Sequence, residues 1–436
     1  MKFMRTPARP VTRVLLLLAL LLQAPGSPGA EPPRRAHLEE EGLARALRQM
    51  IRRNPAVQGK REEVRAQGFQ LRSARARWLP SLGASAATVE DSGLDGQASF
   101  RVEQPLWGFG KLTGGVSVAR AALSAEERDL LRVQREFMGE VTDAYLRIQG
   151  LLAEIAVVEE NVLEHERLLA HMHRREAGQL ASEADVQLGQ SRLIQARSQR
   201  LRLKSDLQNA RATLNALTVA PLASLPPVPP RLLELPSLEI LKAEALAGDA
   251  ALLHSEAQAA SAQAQARLAK AEGRPDLLLR AETNFIENPL SAAGGPRVGL
   301  VVRSSLEGIG LVNYRRGQGA DARAAAAAQE VAFTRAQLLR DLTTLTERLE
   351  LLKSLEAAQE AAVASVRVTV DSYLRLYDAG RKSWLDVLNI QRELTDQRLQ
   401  RVQFKTERAQ VTLALAVRAG RLDAMAGLAP GSAESW

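Results

Sequence analysis

Residues 178–197 read GQLASEADVQLGQSRLIQAR, and residues 380–398 read GRKSWLDVLNIQRELTDQR. The two stretches are versions of one segment. A shift of 201 positions superimposes Ser182 on Ser383, Asp185 on Asp386, Gln190 on Gln391 and Leu193 on Leu394. In both copies a serine stands three residues before an aspartate at the start of an amphipathic run, which is typical of a capped helix start. The repeat predicts a chain made of two similar halves.

The same duplication extends along the rest of the chain. Residues 54–82 parallel residues 249–277, and QPLWGFG at 104–110 parallels SSLEGIG at 304–310. The offset between the copies drifts from 195 to 201 residues, as small differences in loop length accumulate. We therefore expect the same order of elements in both halves: a shorter helix, a pair of strands, a very long helix and a second long helix.

Composition marks where the halves meet. Prolines recur through residues 219–239 and exclude a regular helix there. We therefore expect five regions along the chain. They are a signal peptide at 1–30, a first repeat at 31–218 with a β-hairpin at about 79–106, a Pro-rich linker at 219–239, a second repeat at 240–420 with a β-hairpin at about 275–306, and a flexible C-terminal tail at 421–436.

The first thirty residues predict export. Basic residues precede an apolar core from Val14 to Leu22, which is too short for a permanent membrane-spanning helix. The chain contains no cysteine, which excludes a lipoprotein anchor, disulfides and thiolate metal sites.

Neither charge nor motifs indicate an enzyme or a nucleic-acid binder. The net charge is +8, but charges of both signs are interspersed, whereas a nucleic-acid interface needs a basic stripe on one face. GFGKLTGG from Gly108 lacks the first glycine and the Ser or Thr of a phosphate-binding loop, and GxSxG and HExxH are missing. His171 and His173 lie on different helix faces, which disfavours a metal site. We therefore expect no catalytic residues, no metal and no cofactor.

The helical regions are unusually long. Apolar residues recur at steps of three and four from Leu130 to Val162 and again from Leu338 to Tyr377, a stripe typical of coiled coils. From Gly110 to about Ala177 the chain has almost no helix breaker, and sixty helical residues would be about 90 Å long. The pattern predicts long coiled-coil hairpins.

The strand regions alternate with period two instead. Phe100 and Val102 interleave with Arg101 and Glu103, so each strand has an apolar face and a charged face. The helices need their apolar stripes for one another, so lipid is the natural solvent for the apolar strand face. In a bilayer only a closed barrel satisfies every strand hydrogen bond, and known barrels have at least eight strands. Four strands per chain then require several chains; a small soluble β-layer packed on helices is the alternative.

The sequence resembles the TolC family of outer-membrane efflux and secretion channels. The resemblance rests on the order and spacing of several features: the duplicated halves, QPLWGFGK and SSLEGIGL after the hairpins, ASEADVQLGQSRL in the first half and GRKSWLDVLN in the second. The resemblance spans residues 40–420. ASEADV and GRKSWLDVLN are most similar to members that serve type I secretion, but similar segments occur in drug-efflux members, so type I protein secretion and multidrug efflux both stay open. The resemblance implies a mostly α-helical homotrimer whose twelve pooled strands form an outer-membrane barrel above a periplasmic helical tunnel. It also implies a passive duct, not an enzyme, that docks to a periplasmic membrane-fusion adaptor and an inner-membrane pump of the ABC or RND type.

The resemblance further implies roles at the tunnel tip. The family's spacing is counted from Gly380. It places Tyr377 and Lys382 at the tip-closing contacts, with Asp185 as their partner in the first half, and it places Asp386 and Asn389 at the pore constriction. Lys382 stands where an arginine is usual, and Asn389 replaces a second acid, so a ring of three carboxylates is expected where six are usual. Independently of the family, Ser182 and Ser383 are expected to cap their helices, with both aspartates in the same caps.

Two other functions fit parts of the sequence. A structural periplasmic coiled-coil protein without a pore would explain the helices, but it needs no alternating charged strands. A periplasmic adaptor would have one helical hairpin, whereas two are predicted here. Trp384 fits either an adaptor-docking surface or, as we favour, the core of the tip.

Overall fold

A computed structural model describes residues 34–90, 94–222, 224–286, 296–304 and 307–428. The predicted signal peptide at 1–30 and the end of the predicted tail lie outside the described residues. The elements of the first half are α1 (Arg34–Arg53), α2 (Pro55–Ala76), β1 (Ser81–Glu90), β2 (Leu94–Trp107), α3 (Lys111–Ala177) and α4 (Glu183–Thr218). Those of the second half are α5 (Leu238–Gly248), α6 (Ala250–Ala271), β3 (Asp276–Ile286), β4 (Arg297–Arg303), α7 (Leu311–Asp378), α8 (Trp384–Arg418) and α9 (Asp423–Ala426).

The very long helices are confirmed. Helix α3 has 67 residues and α7 has 68, so each is about 100 Å long. Each folds back at its end into an antiparallel partner, α4 or α8, and the paired apolar stripes form the hairpin cores. Within the described residues, no helix combines the length and the apolar composition that crossing a membrane requires.

The two hairpins join into one antiparallel sheet in the order β1-β2-β3-β4. Strands β2 and β3 pair although a long stretch of chain separates them, with Arg101 opposite Glu282 and Glu103 opposite Arg280. These pairs are salt bridges of 3.2 and 2.8 Å, and Arg303 from β4 adds a third at 2.9 Å to Glu103. The charged side chains of the predicted polar face thus pair with one another across three strands.

The opposite face of the sheet is apolar and uncovered in the single chain. Val298, Leu300 and Val302 on β4 are 71%, 67% and 68% exposed, and Leu82 and Phe100 lie on the same face. Residues that pair across the strands share a face, so this surface is continuous from β1 to β4. The predicted division into a charged and an apolar face is confirmed.

Strands β2 and β4 each run into a long helix through a similar junction. Gly110 and Gly310 cap α3 and α7 with φ angles of 101° and 84°, which glycine tolerates without a steric penalty. The residues before them, Phe109 and Ile309, also have positive φ angles of 46° and 57°. The copies of the duplication thus share an unusual backbone at equivalent positions.

The helices form two sections that follow each other along the length of α3 and α7, and the side-to-side order of the first section matches that of the strands. Next to the strands the order is α2-α3-α6-α7, and toward the hairpin tips it is α4-α3-α8-α7. In the described part of the chain, β1, α2 and α4 therefore lie along one edge, and β4 and α7 lie along the other. The single chain is an open wall with two free edges.

The segment between the halves is held against this wall. Its Pro226 carbonyl accepts a hydrogen bond of 2.6 Å from the Tyr145 hydroxyl, and Gln149 binds the same carbonyl. Burial among α1, α3 and α4 raises the pKa of Tyr145. Gly42 lies where a Cβ would be 2.4 Å from the Tyr145 oxygen and 2.6 Å from the Pro226 ring, so a larger residue would displace both.

Candidate functional site at the hairpin tips

The two turns at the far ends of the hairpins have the same backbone structure. After α3, the backbone N–H of Leu180 donates to the Arg175 carbonyl; after α7, the N–H of Arg381 donates to the Leu376 carbonyl. The left-handed position that ends each helix is Gln179 in the first turn, with φ 56°, and Gly380 in the second, with φ 74°. The first turn therefore contains a side chain where glycine is usual.

Each turn leads into a complete capping box. The Ser182 Oγ accepts from the Asp185 N–H at 3.2 Å, and the Asp185 carboxylate accepts from the Ser182 N–H at 3.3 Å. The same two bonds join Ser383 and Asp386, both at 3.1 Å. The predicted capping geometry of both serines and both aspartates is thus present, and each cap stabilises its helix by about 1 kcal/mol.

The Asp386 carboxylate keeps its charge in this setting. Hydrogen bonds from the Ser383 side chain and backbone, with the nearby Lys382 ammonium at 4.0 Å, hold the pKa of Asp386 below the usual aspartate value. Its side chain is 41% exposed, and Asn389, one turn further along α8, is also exposed. The cap therefore presents an ionised carboxylate to solvent at the tip.

A small core fixes the two turns to each other. Trp384 is 3% exposed and packs with Tyr377 and Leu388 of its own hairpin and with Leu168 and Met172 of α3. The indole N–H donates a hydrogen bond of 3.1 Å to the Asp185 carbonyl. The favoured interpretation of Trp384 as a core residue is confirmed, and its N–H links the two capped turns.

The residues predicted at the tip-closing contacts are only partly brought together. Tyr377 is buried against α3, with its hydroxyl 3.5 Å from the Met172 sulfur, and burial raises its pKa. Lys382 lies over the Tyr373 ring at 4.4 Å and near Asp386, which are both on its own hairpin. The Asp185 carboxylate is occupied by its own cap, so within this chain Lys382 and Asp185 do not meet.

A bridge between the two hairpins was not predicted from the sequence. Asp378, the last residue of α7, has its Oδ1 3.2 Å from the His171 Nε2 and 3.6 Å from the Arg175 Nη1, both on α3. The Arg175 guanidinium also lies 4.8 Å from the centre of the Tyr377 ring. His171 and Arg175 are four residues apart and therefore share a helix face. This spacing is the feature of the sequence that could have indicated a common acidic partner. Within the described residues, no group of acidic and histidine side chains could hold a metal ion.

Known proteins share both sequence and fold with this chain. The sequence pattern of the family described as outer membrane efflux protein matches residues 46–219. The pyoverdine export outer membrane protein OpmQ of Pseudomonas putida is 24% identical over 367 residues, which cover 80% of this chain and 76% of that protein.

Solved structures show the same fold over most of the chain. The outer membrane protein VceC of Vibrio cholerae has a TM-score of 0.75 at 18% identity, covering 87% of this chain and 96% of its own. The open state of the MtrE outer membrane channel of Neisseria gonorrhoeae has a TM-score of 0.71 at 15% identity, covering 87% of this chain and 89% of its own. The fold predicted from the resemblance, long helical hairpins with a small strand part, is confirmed.

Replacing Trp384 with phenylalanine should loosen the tip. The substitution keeps an aromatic ring but removes the indole hydrogen bond to the Asp185 carbonyl, at a cost of about 0.5–1.5 kcal/mol, because this carbonyl still lies in the first turn of α4, where the N–H four residues on can bind it. Limited trypsin digestion should then cut faster after Arg381 and Lys382 in the adjacent turn. Leu385→Ala is the control, because Leu385 is the next residue and is 48% exposed. Equal cleavage of Trp384→Phe and the native chain would contradict the linking role.

Proposed function

We propose that this chain is a member of the outer membrane efflux protein family, whose sequence pattern matches residues 46–219, and that it is the outer-membrane duct of a tripartite export system. It is an outer-membrane efflux channel and not an enzyme. The further steps of the proposal are that three copies form the duct, and that the duct works with a periplasmic membrane-fusion adaptor and an inner-membrane pump of the ABC or RND type. The pump selects and drives the substrate, and the duct is passive.

The main support for the proposal is the division of the sheet into an apolar face and a charged face. The apolar face is exposed over residues as large as Leu82, Phe100 and Leu300, which suits contact with lipid. The Arg101–Glu282 and Arg280–Glu103 pairs on the other face suit a water-filled lumen. A sheet of four strands has two unpaired edges, which a bilayer does not tolerate. Three copies would pool twelve strands and close them.

In the proposed oligomer the helices form a second ring, on the periplasmic side of the strands. Because α2-α3-α6-α7 follows the strand order β1-β2-β3-β4, a ring of sheets places a ring of helices directly below it. Long hairpins then form the wall of a tunnel, and the capped turns at 178–182 and 379–383 lie at its far end. This supports the tip as the place where the duct is narrowed and where an adaptor docks.

The transported substrate has two candidate classes. OpmQ is named for pyoverdine export, which supports a small-molecule substrate. The similarity of GRKSWLDVLN to members serving type I secretion supports a protein substrate. Isolation of the native complex would separate them, because an ABC protein exporter or an RND pump should co-purify with the chain.

Membrane fractionation and planar-bilayer recording test the proposal. The chain should reside in the outer-membrane fraction and form discrete conducting channels after purification in detergent. A structural coiled-coil protein without a pore, the alternative function, would give no channels. Recovery of a soluble, non-conducting protein from the periplasm would overturn the proposed duct.

Asp386 should give the constriction a cation preference. In a ring of three copies, three Asp386 carboxylates would face the pore, with the uncharged Asn389 nearby. Asp386→Asn should shift the single-channel reversal potential toward non-selectivity while retaining an oxygen acceptor for the cap. Asp185→Asn is the matched control, since Asp185 has the same cap in the other turn. Identical selectivity of the native channel and Asp386→Asn would remove Asp386 from the pore.

The same ring predicts a pH dependence. The pKa of Asp386 in the folded chain lies below the ordinary aspartate value of about 3.9. Above that ordinary value the carboxylate is charged and contributes its full stabilisation to the cap. Both the charge and the stabilisation are lost only when the pH falls through the lower pKa of the folded state. The cation preference should therefore persist when recordings are made at pH 4. Loss of the preference well above pH 4 would contradict this assignment.

A further inference from the structure

A cavity of about 760 Å³ lies between α6 and α7, directly below the sheet. Small or apolar residues of both helices form most of its lining, and three arginines of α7 border it: Arg315, Arg316 and Arg323. Helix α7 begins at Leu311, so all three arginines lie within about 20 Å of the helix start. Glu272, which follows α6, contributes a single carboxylate to the lining. The cavity therefore has an excess of positive charge.

Neighbouring side chains balance this charge only in part. Arg316 forms an ion pair of 3.3 Å with Glu307, and both side chains are more than half exposed. Arg315 donates a hydrogen bond of 2.9 Å to the Gln318 amide oxygen, which is uncharged. Among the side chains that the structure describes, no carboxylate lies within 4.0 Å of the guanidinium nitrogens of Arg315 or Arg323. These two guanidinium groups are available to an anionic ligand.

The duplication shows that the start of the helix does not require these arginines. Gly110 and Gly310 cap α3 and α7 at equivalent positions of the two halves. Counted from these glycines, the counterparts of the three arginines on α3 are Gly115, Val116 and Leu123. Helix α3 thus begins with the same glycine cap and no cation at any of the three positions. The arginines belong to the cavity and are not a requirement of the fold.

Two of the arginines lie on the helix face opposite Tyr314. Arg323 follows Tyr314 by two and a half helical turns, and Arg316 precedes Arg323 by about two turns. Tyr314 is 60% exposed and lies near the end of the sheet, as does Trp107, which pairs with Leu277 on the apolar face. In the proposed duct, exposed aromatic side chains at this level face lipid. Arg316 and Arg323 then face the lumen.

The excess of positive charge continues into the charged face of the sheet above the cavity. Arg280 on β3 and Arg303 at the end of β4 share one carboxylate, that of Glu103, at 2.8 and 2.9 Å. This face also lines the lumen of the proposed duct. A water-filled passage lined by one sign of charge raises the local concentration of ions of the opposite sign. An anion in the lumen would therefore be attracted to the sheet and to the cavity below it.

We propose that the cavity between α6 and α7 is an anion-binding site in the lumen of the duct, where Arg315, Arg316 and Arg323 bind phosphate or carboxylate groups of the transported substrate. The inference rests on the proposed duct and specifies the chemical class of its substrate, which is anionic. A guanidinium group suits this role because its planar fork donates two parallel hydrogen bonds to a phosphate or a carboxylate. The apolar part of the lining accommodates the uncharged remainder of the substrate.

Binding of tripolyphosphate to the purified oligomer tests the site. Calorimetry should show binding at about 0.15 M salt, where charges are screened beyond about 8 Å, and weaker binding as the salt concentration rises. In planar bilayers, tripolyphosphate should reduce the single-channel current. Arg316→Gln with Arg323→Gln should weaken binding and block by about two- to fivefold for each arginine, as expected for partly solvated ion pairs.

Arg335→Gln is the matched control. It removes the same charge from α7, but Arg335 lies near Glu256 of α6, at 3.9 Å, and does not border the cavity. This variant should bind tripolyphosphate as the native protein does.

Three results would overturn the site. Conducting channels in which the native protein and the double variant bind tripolyphosphate equally would remove the site and leave the proposed duct standing. A phospholipid that co-purifies with the native protein and is lost from the double variant would place the cavity against lipid and not in the lumen. A protein that forms no channels would overturn both the site and the duct.

Discussion

The unpaired edges of a four-stranded sheet are the constraint on which the rest of the structure depends. Strands β1 and β4 each have one side without a partner in the described chain, and the sheet between them has an exposed apolar face. Water tolerates such a face poorly, and lipid tolerates unpaired backbone groups poorly. A closed ring of copies in a bilayer would satisfy both demands, because lipid would cover the apolar face and neighbouring copies would pair the edges. The helices next to the sheet have the same two edges, because β1 and β3 follow α2 and α6 directly, and β2 and β4 lead into α3 and α7.

Local patterns allowed much of this fold to be predicted. The end of α3 at Ala177, the strand alternation around Phe100 and the caps at Ser182 and Ser383 each depend on residues within one or two turns of each other. Internal duplication strengthened these predictions, because each pattern occurs twice. The aspartates of the repeated segment are thereby explained first as capping residues, and a pore role is proposed for Asp386 alone.

Contacts between distant segments could not be predicted in the same way. Nothing local indicates that β2 pairs with β3, that the Trp384 indole donates to the Asp185 carbonyl, or that Asp378 binds His171 and Arg175. These contacts depend on how the two hairpins lie beside each other, which periodicity does not specify. The tip-closing roles of Tyr377, Lys382 and Asp185 and the pore roles of Asp386 and Asn389 remain predictions, since they concern contacts between copies.

The mass of the purified assembly tests the central claim most directly, namely that one chain is a third of a closed wall. Native mass spectrometry of the protein extracted from outer membranes should give a species of three chains, with no smaller species at low detergent concentration. A stable monomer or dimer that still conducts in planar bilayers would contradict the account, because it would form a pore without closing the edges at β1 and β4.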